Sequence, residues 1–434
     1  MSTSSTVEYL RSLGAVRERS NEVFNLIVEG KADHWDWHEG KLATVVDFCA
    51  GLLSRDFGTD FDKIPPHCRR NHFTTSSNGT IDRVAALKSD PLFPTSPVEQ
   101  ARTLIDLYIV SVLLDAGAGN TWTYREVIDG VEVWRGGRSE GLAVASFHMF
   151  CGGAFSSDPN EPLRVDSTAL KGLTAAKLAK HMQVTDTNLM SGLDGRANLL
   201  IQLGAALDAR RDIVRDGRPG DILYFLRPQL KSGNVLPLTL FWDTLFALLA
   251  PIWPARTTLS SAPGEVLGDV WPCPSLARSC ATRKEGDDLV PFHKLTQWLC
   301  YSLLEPIESS AGWHVDRGVG QTGLPEYRNG GLLVDHGLLT VRDLPDSAYP
   351  NGRDAPPVLS PSDPAVVEWR AATVAALDKI HEGICAKLSV TTQQLQLAQV
   401  LEASTWKGGR EIAKAKRPAT GGPPIEIISD GTVF

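Results

Sequence analysis

Near the start of the chain apolar side chains recur at Leu10, Leu13, Val16, Val23 and Ile27. This three-to-four spacing gives a helix one buried stripe, and Gly30 supplies a stop. The same pattern predicts a second helix over 42–53 and a third that begins at Ser96-Pro97. There a capping hydroxyl, a proline in the first turn and Glu99 all suit a helix N-terminus. The third helix turns Leu104, Ile105, Tyr108, Ile109, Val112 and Leu113 inward and ends at LLDAGAG. Further helical patterns fit RSEGLAVASFHMF and the segments 166–182, 196–214, 237–250, 289–308, 363–388, 392–403 and 405–416, with Gly408-Gly409 marking an end or irregularity. The period shortens in TWTYREVIDGVEVWRGG, where Trp122, Tyr124, Val131 and Val133 alternate about Asp129-Gly130 and predict a β-hairpin.

No regular strand-helix-strand alternation appears, so a doubly wound sheet is not expected. The predicted fold class is mainly α (α+β), a large multi-helix globular domain with a few short strands and a β-hairpin. Two stretches lack a period: 251–288, rich in Pro, Gly and Ser, and 343–361. The expected organisation is an N-terminal helical segment over 1–40 and a single large, mostly helical catalytic domain over 41–434, with 251–288 as a candidate seam or lid. The closing PPIEIISDGTVF reads as a docked strand and turn.

Composition narrows the partners. The chain has 434 residues, 42% hydrophobic and 22% charged, which is ordinary for a globular protein with a sizeable core. Its 43 basic and 51 acidic residues leave a net charge of -8, which repels nucleic acid and anionic membranes and leaves a small molecule as the expected partner. No apolar run reaches the roughly 20 residues that span a bilayer. MSTSSTVEYLRSLGAVRERS is not a basic leader followed by an apolar core, so no secretory signal is expected. The seven cysteines are odd in number and scattered. They read as reduced thiols, and hence as a cytoplasmic protein.

No phosphate-loop, nucleophile-elbow, HExxH or CxxC motif is present, and GAGNTW lacks the context of a dinucleotide site. Cys273, Cys280, His293, His314 and His336 share a stretch with Glu326 and Asp335, but at no standard zinc spacing. The expectation is therefore no cofactor, with zinc as the alternative.

The chemistry concentrates in TGLPEYRNGGLLVDHGLL. This core-like run is interrupted by Glu326, Tyr327, Arg328 and Asn329 before a flexible Gly-Gly, and Asp335 follows nine residues after Glu326. Burying a carboxylate and a guanidinium is costly unless each finds a partner. A Glu-Arg pair tying down a turn would meet that need; so would a site using one or both carboxylates for acid-base hydrolysis. Asp115 is a second oddity, since a helix C-terminus disfavours a carboxylate. Arg138 and Glu140 open a helix after Gly-Gly, where backbone donors and arginines can hold a phosphate. The basic loop HCRRNHF, with Arg69 and Arg70, competes for that role. His293 starts another helix, where the dipole favours an anionic ligand, and Trp298 follows on it.

Six ordered motifs, VSVLLDAGAGNTWTY, GRSEGLAVASF, VPFHKLTQWLCYSLLEP, TGLPEYRNGGLLVDHGLL, VVEWRAATVAALDKI and TWKGGREIAKAKRP with SDGTVF, resemble the uracil catabolism protein 4 family of fungi and some bacteria. The likeness runs from about Leu42 to the last residue. It implies a place in pyrimidine degradation, at a late step that releases urea from ribosylurea or its 5′-phosphate. Joined to the residues, it implies hydrolysis of an N-glycosidic bond by Glu326 or Asp335, then Asp115 or Glu140. Arg328, Asn329, Tyr327, Arg138, His293 and Trp298 would bind substrate. A zinc amidohydrolase acting on the urea group, or a non-catalytic metabolite-binding protein, are the competing readings.

Overall fold

A computed structural model describes residues 3–76, 80–115, 117–119, 121–279, 284–318 and 320–428. The fold is mainly helical, and its short strands pair two by two. The chain divides into two compact units. One comprises Met1–His67, Pro254–Gln297 and Gln321–Ile428; the other comprises Cys68–Trp253 and Trp298–Gly320.

In the first unit the N-terminal pattern yields two helices, Thr3–Arg11 and Leu13–Val28. The break comes from Ser12, whose hydroxyl accepts the Ala15 N–H at 3.1 Å and starts the second helix. The central element is Pro364–Leu388, begun by Asp363 accepting from the Ala365 N–H at 2.8 Å and ended by Ser389 in a left-handed conformation (φ 56°). The helices Leu13–Val28 and Leu42–Phe57 pack on it. Part of the irregular section also joins this core: Leu259, Leu267 and Val270 are buried with Val7, Leu10 and Leu289, and Val270–Pro272 pairs antiparallel with Leu289–Pro291. Near the C-terminus Glu426–Ile427 pairs in parallel with Val358–Leu359; the rest of that predicted strand and turn, SDGTVF, lies outside the described residues.

Of the last two predicted helices, the first is reshaped and the second is present over Lys407–Lys416. The segment expected to be helical over 392–403 is a short helix, Leu397–Val400, running into a π-helical stretch, Leu401–Trp406. Gly408-Gly409 mark no end; they lie in the first turn of the helix Lys407–Lys416.

In the second unit the helix Pro97–Leu113 is buried along most of its length. Ser96 stands at its cap position, though its hydroxyl makes no capping bond. Tyr124–Ile128 and Val131–Gly136 form the expected hairpin, with Asp129 (φ 50°) and Gly130 (φ 79°) supplying the left-handed turn. Glu126 faces inward with Tyr124 by strand alternation, just before a register shift, and its carboxylate pairs with Arg83 and accepts from His148 at 2.7 Å.

Candidate functional site

Within TGLPEYRNGGLLVDHGLL the residues Tyr327–Asp335 form a helix, entered from Glu326 in an extended conformation. Its nine residues and internal Gly-Gly conceal the helical period. Glu326 occupies the cap position, and its two carboxylate oxygens accept the N–H groups of Arg328 (2.8 Å) and Asn329 (2.6 Å). Asp, Asn, Ser or Thr is the usual residue here; a longer glutamate folded back on its own helix is less common. The side chain is buried. Burial pushes its carboxyl above the ordinary 4.5, against the pull of those two N–H groups and the Lys294 and Arg328 charges.

The Gly-Gly is not a hinge. A Cβ on Gly330 would lie 2.7 Å from the Trp369 indole, which also donates its N–H to the Gly330 carbonyl at 3.1 Å. A Cβ on Gly331 would lie 3.0 Å from Pro424, and one on Gly409 would lie 2.1 Å from the Arg328 carbonyl oxygen. These glycines leave room for the Trp369 indole, the Pro424 ring and the Arg328 carbonyl and fix the head of the helix, which corrects the sequence expectation of flexibility.

Behind Glu326 stands a pair that the sequence reading did not single out. Asp269 accepts from both terminal nitrogens of Arg370 (2.8 and 2.7 Å), from the Trp271 indole (2.6 Å) and from the Lys294 N–H (3.0 Å). Arg370 lies over the Phe292 ring at 4.1 Å and reaches the Pro325 carbonyl, just before Glu326, at 3.4 Å. Burial alone would raise the Asp269 carboxyl, but the Arg370 charge and these donors outweigh it and hold the carboxyl well below its usual range. Asp269 and Arg370 lie in GEVLGDVWPCPSL and VVEWRAATVAALDKI, 101 positions apart, and no local spacing links them.

The remaining candidates separate. Tyr327 stacks under the Arg328 guanidinium (5.2 Å), and Arg328 donates to the Gly421 carbonyl at 2.9 Å. Asn329 is buried, with its Nδ2 donating to the Leu324 carbonyl at 3.0 Å. His293 is buried in a left-handed conformation (φ 46°) and donates from Nε2 to the Leu10 carbonyl at 2.8 Å. Burial lowers its pKa to about 4, so near pH 7 it is neutral and brings no charge to an anion. Asp335 ends the Tyr327–Asp335 helix, about 13 Å along the axis from Glu326, and forms a two-pronged pair with Arg417 (2.8 and 2.5 Å).

Asp115, Arg138, Glu140 and Trp298 belong to the other unit. Asp115 is disfavoured where it stands, and a buried cation explains its presence: Arg69, fully buried rather than in a basic surface loop, donates to it at 2.6 Å. The Ser139 hydroxyl donates to its other oxygen at 2.9 Å. Arg69 also donates to the Ser111 hydroxyl (2.7 Å), which contacts Ser146 (2.6 Å). Arg138 and Glu140 start the helix Arg138–Cys151, Arg138 in a left-handed conformation (φ 53°). The Glu140 charge acts on Arg69. Trp298 meets the His72 ring at 5.8 Å. Two groupings result, one around Glu326 with Asp269 and Arg370, the other around Arg69 and Asp115.

Among the described residues no three His, Cys, Asp or Glu side chains converge to hold a metal, and Cys280 lies outside those residues. The zinc alternative has no ligand set there.

Comparison with known proteins reaches beyond the six motifs. The family model described as "Protein of unknown function (DUF1688)" matches residues 9–434, so the likeness includes the N-terminal helices. Uracil catabolism protein 4 of Lachancea kluyveri is 41% identical over 452 residues, covering 100% of both chains. Protein urg3 of Schizosaccharomyces pombe is 41% identical over 434 residues, covering 99% of both. With the match running almost end to end, the chain belongs to the DUF1688 family.

Proposed function

We propose that the protein is a hydrolase of uracil breakdown that releases urea from ribosylurea or its 5′-phosphate by cleaving the N-glycosidic bond, with Glu326 as the reacting carboxylate. The pathway is the one named in the relative from Lachancea kluyveri. The observation that carries the reading is Glu326 itself: a buried carboxylate, raised above its ordinary pKa, with both oxygens aimed by backbone donors. Such a group is a stronger base than an exposed glutamate, and its negative charge acts with little screening. In the step, water adds to the anomeric carbon while the carbon–nitrogen bond breaks, its electron pair going to the urea nitrogen. Glu326 takes the water proton, the departing urea nitrogen takes a proton from solvent, and Glu326 returns its own to solvent before the next turnover. The carboxylate also opposes the positive charge that develops on the sugar.

Asp335 is a weaker candidate because Arg417 occupies both of its oxygens at the far end of the helix. Asp115 and Glu140, which balance Arg69, follow it. Arg328 and Tyr327 would line the sugar side. The reaction needs no metal or cofactor. Among the described residues no helix is long and apolar enough to cross a membrane, and the free thiols of Cys49, Cys68, Cys151, Cys273, Cys300 and Cys385 suit a reducing cytoplasm.

Hydrolysis in oxygen-18 water tests the bond that breaks. The reading expects label on the anomeric oxygen of ribose and none in urea. Label in carbonate, with ammonia released, would mean attack on the urea carbonyl instead.

A further inference from the structure

Around the head of the Tyr327–Asp335 helix the donors identified so far are used within the protein. The Arg328 and Asn329 N–H groups serve the Glu326 carboxylate, the Gly330 N–H serves the Glu326 carbonyl at 2.9 Å, and Asn329 Nδ2 serves the Leu324 carbonyl at 3.0 Å. The anion-binding end of this helix is therefore filled by the chain's own carboxylate. One atom stands apart. Asn329 Oδ1 is buried and has no hydrogen-bond partner among the described residues. Turning the amide over would put the oxygen against the Leu324 carbonyl, so Oδ1 is committed to accepting. A buried acceptor left unmet destabilises the fold, and such exceptions call for an explanation.

We infer that Asn329 Oδ1 is the specificity-determining acceptor of this site and takes an N–H of a primary ureido group, holding the leaving urea beside Glu326. The inference rests on the ribosylurea reading and deepens it. The nitrogen-rich end of the substrate faces this helix, and a phosphate, where present, binds elsewhere, because the helix N-terminus already holds Glu326. An analogue with a methyl in place of the terminal amino group leaves the acceptor unmet again and is rejected.

The test uses the full-length protein with two substrates, ribosylurea and the same ribose carrying an acetamide. Wild type is compared with Asn329→Leu, and the ratio of the two kcat/KM values is read, so that inherent leaving-group differences cancel between proteins. The expected result is that Asn329→Leu lowers kcat/KM for ribosylurea about tenfold or more, with little change for the acetamide, and so collapses the ratio. An equal loss on both substrates would assign Asn329 to holding Leu324 and overturn the inference. If Asn329→Leu does not fold, inhibition of wild type by urea and by acetamide decides: tighter inhibition by urea supports the inference, equal inhibition overturns it. If wild type turns over neither substrate, nor the 5′-phosphate of either, the hydrolase reading fails, and calorimetry with ribosylurea and its 5′-phosphate judges the inference alone. Binding that is lost in Asn329→Leu sustains it; no binding ends it.

Discussion

Replacing Asp269 by Asn removes the carboxylate that Arg370 is paired with while leaving that guanidinium in place. The Arg370 side chain is 2% exposed and that of Asp269 13% exposed, so solvent cannot replace the lost partner. Breaking such a buried pair costs about 3–5 kcal/mol, chiefly as the penalty for an uncompensated charge. Replacing both residues, Asp269→Leu with Arg370→Met, removes the charge too and should cost less than the sum of the single changes by at least about 1 kcal/mol. Equilibrium unfolding in guanidinium chloride reads wild type, Asp269→Asn, Asp269→Leu, Arg370→Met and the double variant at pH 7. Because the Asp269 carboxyl is held below its ordinary 3.8, the stability it contributes is complete at neutral pH and declines as pH falls below that value. The deficit of Asp269→Asn should therefore narrow at pH 3. A loss under about 1 kcal/mol at pH 7, or strictly additive single changes, would refute the buried-pair reasoning.

Other outcomes follow from the same geometry. Gly409→Ala places a methyl 2.1 Å from the Arg328 carbonyl oxygen, so it should cost about 1–3 kcal/mol or more in chemical unfolding and lower kcat by displacing the head of the neighbouring helix. Asp335→Asn should lose about 1–2 kcal/mol with the Arg417 pair, yet leave kcat unchanged; a collapse of turnover in a folded variant would return Asp335 to the catalytic role. Since burial raises the Glu326 carboxyl and the working form is ionised, kcat/KM should fall on the acid side with a midpoint above 4.5. A midpoint at or below 4.5 would assign the base to a different group.

How much of this the sequence revealed depended on how local each cause was. The Asp363-Pro364 start and the Asp129-Gly130 turn are fixed by neighbours in the chain, and both appear where the residues place them. The Tyr327–Asp335 helix was hidden because Gly330 and Gly331 look like a flexible joint until Trp369 and Pro424 are seen against them. Asp115 was rightly odd, but Arg69, its reason, lies 46 positions earlier in what reads as a basic loop. Glu326 and Asn329 stood out because polar residues interrupted an apolar run. Asp269 and Arg370 did not, because each looks ordinary where it stands and only the fold brings them together. His293 stood out because its helix-start position suits an anionic ligand, and its burial, which leaves it neutral near pH 7, could not be read from that position.

The central claim is that Glu326 is the carboxylate that releases urea. The most direct measurement is urea formation from ribosylurea and from its 5′-phosphate by wild type and Glu326→Gln, with circular dichroism to show that both are folded. Gln cannot take the water proton, so kcat should fall by about 10²- to 10⁴-fold on whichever substrate wild type hydrolyses, while the unfolding midpoint moves by only the roughly 1 kcal/mol of a helix cap. A folded Glu326→Gln that still releases urea at the wild-type rate would contradict the account.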